Sequence, residues 1–344
     1  MVPINKSVLE RCLKSFSHEL EKQRKEILHS MILVRTDYQS VLDRKQKRFL
    51  KKIIYRLSVS NLMTLNNERI EEVVRDIGKT PNPMKKITLS ARDKKNSSDP
   101  SKNIVSFKDL LIWKFNYGVY RGDFYPKLFR KLGIRACVYC NSQLTLNVEK
   151  NTYSTKGIAK IAKYELDHAY SKYDYPYLSA TVFNLYPSCG VCNNIKRKKE
   201  VKFKLYSSIE TPSIYKFSLK KESLVEYMTS YNSDKLIITF EDPDKPLENK
   251  EGKGSLEDTF HISSIYNAQK DIAEEIIIRS YIYNDTYRED LNKSFSSLFP
   301  GNAFEMERIF LGTYPNPQDI HLRPLSKFIQ DISAEVKRLS IELK

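Results

Sequence analysis

Apolar residues recur at helical spacing at the start of the chain. Ile4, Val8, Leu9, Cys12, Leu13, Phe16 and Leu20 fall on one face and predict a helix, with Cys12 as a small buried side chain. A second helical stretch is expected over 37–57, and residues 1–75 read as helical throughout. Its basic face, Arg44, Lys45, Lys47, Arg48, Lys51 and Lys52, suits either a solvated helix or phosphate binding. Residues 78–104 are rich in Lys, Pro, Asn, Ser and Asp and predict a loop or linker. A helical pattern resumes over 107–132, carrying Trp113, Phe115, Tyr117 and Tyr120, and Gly133 ends it. Further on, 202–206, 214–219 and 235–240 alternate as short strands, and 242–255 reads as a polar loop. Helical patterns follow over 262–283, 304–311 and 325–343, and no internal repeat is present. The expected class is α+β: a mostly helical chain with a few short C-terminal strands.

The charge balance narrows the partners. The 344 residues carry 58 Lys and Arg against 42 Asp and Glu, a net charge of +16. Such an excess favours polyanions. It is uneven: 1–60 and 125–204 are strongly basic, whereas 205–258 is acidic. The chain shows no apolar run long enough to span a bilayer and no secretory h-region, so a cytoplasmic protein without membrane attachment is expected.

Four of the five cysteines form two C-x-x-C pairs, Cys137–Cys140 and Cys189–Cys192. Each pair can bring two thiolates to one metal from a tight turn, and two pairs complete a tetrahedral shell for structural zinc. Residues 141–188 separate the pairs, which is longer than a simple zinc ribbon, so further structure is expected between them.

Between the pairs stands Tyr164-Glu165-Leu166-Asp167-His168, then Phe183-Asn184-Leu185-Tyr186. Directly after Cys192 comes Asn193-Asn194-Ile195-Lys196-Arg197-Lys198-Lys199. Phosphodiester hydrolysis needs an activated water and a cation on the phosphate oxygens. His168 suits a general base because imidazole titrates near neutral pH. Asp167 is a hard carboxylate suited to Mg²⁺ or Mn²⁺, and Asn193, at the start of a helix expected over 193–200, offers a second, neutral oxygen. Adjacent strand residues point to opposite faces, so Asp167 and His168 can share a site only where the strand ends. Each residue also has an ordinary role: His168 in a core, Asp167 or Asn184 in a turn, Asn193 as a helix cap, and the basic run as a solvated face.

Asp-His, then Asn-Leu, then C-x-x-C-N-x-x-K, bracketed by two knuckles, resembles the HNH endonucleases (ββα-metal, treble-clef), in the H-N-N variant. The resemblance covers 134–200. It implies a central zinc-stabilised ββα module with His168 as base, Asn184 holding the loop that carries it, and Asp167 and Asn193 on a catalytic Mg²⁺ or Mn²⁺. Lys196 takes the place of the motif lysine, and with Arg197, Lys198 and Lys199 it would meet nucleic-acid phosphates. The implied activity is DNA cleavage leaving 5′-phosphate and 3′-hydroxyl ends, with RNA open as a substrate. A zinc-containing nucleic-acid-binding protein without catalysis is the alternative. The layout also resembles bacterial restriction or antiviral defence effectors, some controlled by a partner ATPase. No Walker motif is present, so an ATPase would be a separate chain. Three regions are expected: 1–104, helical and basic, with its linker at 78–104; 105–204, the nuclease module with its leading helix; and 205–344, an α+β region.

Overall fold

Side-chain caps punctuate the first helices. Asn5 accepts from the Ser7 amide at 2.9 Å and opens α1 (Lys6–Lys14), which α2 (Ser17–Asp37) follows. Asp43 and Gln46 form a reciprocal capping box at the start of α3 (Arg44–Val59), and Asn66 caps α4 (Asn67–Ile77). The box explains why α3 begins at Arg44 and not at 37. Leu20, Ile27, Met31 and Val34 of α2 are buried, as are Phe49, Leu50, Ile53 and Leu57 of α3, and the two helices pack along these stripes. Cys12 is only half-buried, less enclosed than its place on the apolar stripe suggests.

The chain is represented by a computed structural model that describes residues 1–96, 103–152, 157–197, 199–207, 213–245, 254–295 and 306–342. Of the expected linker at 78–104, positions 97–102 lie outside the described residues, and the rest carries regular structure. β1 (Lys86–Thr88) pairs antiparallel with β2 (Ile104–Ser106), with Ile87 opposite Val105, and α5 (Ala91–Asn96) lies between them. Three residues per strand are too few to show an alternating pattern against a polar background. Asp93 anchors this segment: it is buried, accepts from the Tyr38 hydroxyl at 2.6 Å and pairs with Lys114.

The helical pattern over 107–132 resolves into α6 (Phe107–Lys114), α7 (Tyr117–Gly122) and α8 (Phe124–Lys131). Asn116, at φ +56°, makes the first break. β3 (Leu146–Thr152) pairs with β4 (Gly157–Lys163), and β5 (Glu165–His168) pairs with β6 (Leu185–Ser188), which α9 (Gly190–Lys196) follows.

The remaining elements are β7 (Lys216–Leu219), α10 (Lys221–Ser230), β8 (Ile238–Glu241), α11 (Leu256–Phe260), α12 (Ile262–Asn267), α13 (Lys270–Ile282), α14 (Asp285–Phe295), α15 (Met306–Leu311) and α16 (Ser326–Glu342). The expected strand at 202–206 is reduced to Tyr206–Ser207, and the expected strands at 214–219 and 235–240 are trimmed to β7 and β8. Of the polar loop expected at 242–255, positions 246–253 lie outside the described residues. The described part is a mostly helical α+β fold with short strands.

β7 and β8 pair antiparallel with Phe217 opposite Phe240. The outer edge of β7 is closed by α16. Phe217 and Leu219 donate their amides to the Asp331 and Glu335 carboxylates, both at 2.9 Å. The two-residue period of a strand edge thereby meets the four-residue period of a helix face. The Phe217 ring sits 4.3 Å from Tyr266 and 5.4 Å from Phe328, centroid to centroid, in the core beneath.

Two units emerge, each assembled from separated stretches: the first from Asn5–Leu132 with Asn147–Pro187, the second from Met1–Ile4, Gly133–Leu146 and Ser188–Lys344. The segment 105–204 contributes to both. Within the second unit, Asn141 is fully buried at φ +54° and acts as a hub. Its side chain donates to the Ile320 carbonyl at 3.2 Å and accepts from the Lys327 amide at 3.0 Å, while its carbonyl accepts from Leu325 at 2.6 Å.

His321, in the same unit, gives a pH dependence. Burial pushes its pKa down to about 3, and its ring Nε2 meets the Val2 carbonyl at 2.7 Å, so Nε2 donates. The folded pKa lies below the unfolded value of 6.5. Stability from keeping this ring neutral is therefore full above that value and is lost as pH falls toward the folded one. Between the two, wild type should lose up to about 1.4 kcal/mol per pH unit more than His321→Gln in chemical denaturation. Parallel curves for the two proteins would contradict the assignment.

Candidate functional site

In the second unit, the four Sγ atoms of Cys137, Cys140, Cys189 and Cys192 lie within 4.8 Å of one another, and all four residues are buried and free of disulfides. A four-sulfur tetrahedron with metal–sulfur bonds of about 2.3 Å has edges of about 3.8 Å, which this spread accommodates. Among the described residues, no other group of three or more His, Cys, Asp or Glu is close enough to share an ion.

Each knuckle is built by local hydrogen bonds. The Cys137 amide donates to Gln143 at 2.9 Å, and its carbonyl accepts from Asn141 at 2.8 Å, closing the turn in which Asn141 adopts positive φ. Cys189 is the N-cap of α9, and its Sγ accepts from the Cys192 amide at 3.4 Å. The Ser142 hydroxyl donates to Cys140 Sγ at 3.4 Å, and Tyr266 donates to the Cys140 carbonyl at 2.8 Å. Burial pushes the Cys137 thiol up, whereas hydrogen bonds from Cys137 and the other thiols hold Cys140 well below the usual thiol range. Thiolates crowded in a dry pocket repel one another, and a soft divalent cation offsets that repulsion. The donor set suits a metal such as zinc.

The helix that carries Asn193 starts earlier than expected. It runs from Gly190 to Lys196 with Cys189 as its cap, so Asn193 is an interior position and not the N-cap. A cysteine cap is invisible to a search for Ser, Thr, Asp or Asn at the boundary. Asn193 is half-buried. The basic run divides: Lys196 is buried, at 2% exposure, while Arg197 and Lys199 are exposed, and Arg197 ends the helix at φ +47°. Lys198 lies outside the described residues.

The first unit holds Asp167, His168 and Asn184, all buried. β5 ends at His168, so the acid and the imidazole stand where the strand runs out and the chain bends. His168 Nε2 lies 3.0 Å from the Ser179 carbonyl. A carbonyl only accepts, so Nε2 carries a proton, and in the neutral ring the lone pair is then on Nδ1. Tyr117 of α7 packs edge-on against the imidazole at 4.8 Å, and its hydroxyl reaches the Leu166 carbonyl at 3.4 Å.

Asn184 clamps the loop that follows His168. Its Oδ1 accepts from the Tyr170 amide at 2.7 Å, and its Nδ2 donates to the carbonyls of Tyr170 at 3.1 Å and Leu178 at 3.0 Å. Its own carbonyl accepts from Ala169 at 3.0 Å. These bonds use every polar group of the amide.

Two neighbours were not singled out by sequence. Lys172 places its ammonium 4.9 Å from the centre of the Tyr117 ring, and burial pulls its pKa down, with the Arg121 charge adding to the shift. Arg121 in turn pairs with Glu165. Lys172 lies four residues past His168 in the loop where the strand exits, which was a usable signal. Tyr117 reaches the site only through tertiary packing.

No family model matches the chain, and no characterised protein or solved structure matches it either. The site is read from its own residues. Asn184→Ala should leave the far-ultraviolet circular dichroism unchanged and raise hydrogen exchange at the Tyr170 amide at least about tenfold, the equivalent of one hydrogen bond. Unchanged exchange would show that other contacts hold this loop.

Proposed function

We propose that the chain is a metal-dependent endonuclease of the HNH type that hydrolyses DNA phosphodiester bonds. One observation carries the reading: the His168 proton is held on Nε2 by the Ser179 carbonyl, at a strand end beside Asp167, in a loop clamped by Asn184. This is the arrangement a general base needs, with the basic nitrogen fixed by a bond made at the opposite nitrogen.

In the proposed reaction, His168 Nδ1 takes a proton from water as the water oxygen bonds to phosphorus. The bond from phosphorus to the 3′ oxygen breaks, and that oxygen takes a proton from solvent water and leaves as a hydroxyl. The other product end keeps the phosphate on its 5′ oxygen. Asp167, a hard carboxylate, would hold Mg²⁺ or Mn²⁺, which would supply positive charge to the phosphate. Lys172 adds a second positive charge near the base. The four cysteines would hold a zinc ion with no part in the chemistry, and that zinc would fix the turn at Asn141 and the start of α9.

His168→Ala should lower nicking of supercoiled plasmid in Mg²⁺ or Mn²⁺ by at least about 100-fold, as expected for loss of a general base, with far-ultraviolet circular dichroism and zinc content unchanged. Full cleavage by that variant would end the assignment. Cys140→Ser should lose stoichiometric zinc and lower the melting temperature. A variant with unchanged melting and zinc content would contradict a structural metal.

A further inference from the structure

Two helices of the first unit, remote in sequence from the cysteines and from His168, enclose a groove of about 480 Å³ between α2 and α3. Arg35 lines it from α2, and Lys47, Arg48 and Lys51 line it from α3, over a floor that includes Ile32 and Ile54. The spacing explains the gathering. Positions 47, 51 and 54 fall on one stripe of α3, with Lys51 about 6 Å further along the axis than Lys47. Positions 32 and 35 fall on the facing stripe of α2.

The other cationic stripe of α3 is neutralised. Lys52 pairs with Asp76 at 3.3 Å, and Arg56 pairs with Glu72 at 2.9 Å and with Asp76 at 2.8 Å. The four groove cations differ: among the described residues none makes an ion pair or a side-chain hydrogen bond, and all four are exposed. The acids nearest in sequence are already engaged. Asp37 pairs with Arg92 at 3.4 Å, and Asp43 accepts from the Gln46 amide at 2.9 Å and from Asn82 at 2.8 Å. No lining side chain is acidic, and none is aromatic.

We propose that this groove docks the phosphate backbone of duplex DNA. Like charges gathered without counter-charge hold a layer of small anions, and a polyanion that displaces them binds with the entropy of their release. The lack of aromatic side chains disfavours an unpaired strand, whose bases would need stacking surfaces. The two large apolar side chains of the lining, Ile32 and Ile54, are too few to form a wedge into a membrane. This proposal goes beyond the cleavage reading and concerns binding alone.

The test is fluorescence anisotropy with the full-length protein, a labelled 30-base-pair duplex and no divalent cation. One variant carries Arg35→Ala, Lys47→Ala, Arg48→Ala and Lys51→Ala. The control carries Arg11→Ala, Lys14→Ala, Lys22→Ala and Lys25→Ala, which removes the same charge from other exposed positions of the same unit. The groove variant should bind at least about 30-fold more weakly, with a salt-dependence slope shallower by about three, as for three or four lost phosphate contacts. The control should change affinity less than about threefold, and both should melt like wild type. A conservative variant, Arg35→Lys with Arg48→Lys, should keep most of the affinity. Equal weakening in groove variant and control, or wild-type affinity in the groove variant, overturns the proposal. So does groove-dependent binding to phosphatidylserine vesicles that exceeds binding to the duplex. Groove-dependent binding without plasmid nicking by any form would sink the nuclease reading and leave this one standing.

Discussion

Four sulfur atoms buried within 4.8 Å of one another are the constraint on which the second unit rests. Thiols in that arrangement are poor neighbours for themselves, because each ionisation opposes the next in a pocket without water. The segment Gly133–Leu146 and the stretch from Ser188 onward meet at this cluster. Asn141, in the turn of the first knuckle, then carries the connection outward to Ile320, Leu325 and Lys327, and Tyr266 carries it from the Cys140 carbonyl to the rings of Phe217 and Phe328. The edge of β7 is closed by α16, which begins beside that same asparagine contact. Sulfur cluster, turn, aromatic core and strand edge form one chain of dependence.

The first unit solves a different problem by related means. An imidazole at the end of a short strand would rotate freely unless something fixed it. The Ser179 carbonyl sets its proton, Tyr117 sets its plane, and Asn184 holds the loop that follows. None of these partners is itself reactive. They turn a histidine that could be an ordinary core residue into one whose basic nitrogen is defined, and the half-buried Lys172 places a cation nearby. Cation placement recurs on a larger scale along α2 and α3, where one stripe of positive charge is neutralised and the other is left open.

Some of this was legible in the sequence and some was not, for physical reasons. The paired cysteines could be read because two residues of spacing fix two ligands in one turn, whatever happens elsewhere. The apolar stripe from Ile4 to Leu20 could be read because packing imposes a period that survives in a single chain, though the structure divides it between α1 and α2. Asn184 was expected to hold the loop carrying His168; its side chain bonds to Tyr170 and Leu178, downstream of that histidine. What failed were boundaries set by unusual caps, as where Cys189 starts α9 or Asn116 splits the long helical pattern. The hairpin of β1 and β2 failed for a different reason: its stability comes from partners such as Tyr38 and Lys114 that no local window contains. Tyr117 beside His168 is the same case at the site itself.

The most direct measurement is the zinc K-edge X-ray absorption spectrum of the purified full-length protein. The account predicts one zinc per chain, with a single shell of four sulfurs at about 2.3 Å and no nitrogen or oxygen in that shell. A shell containing light atoms, or a folded protein holding no zinc, would contradict it.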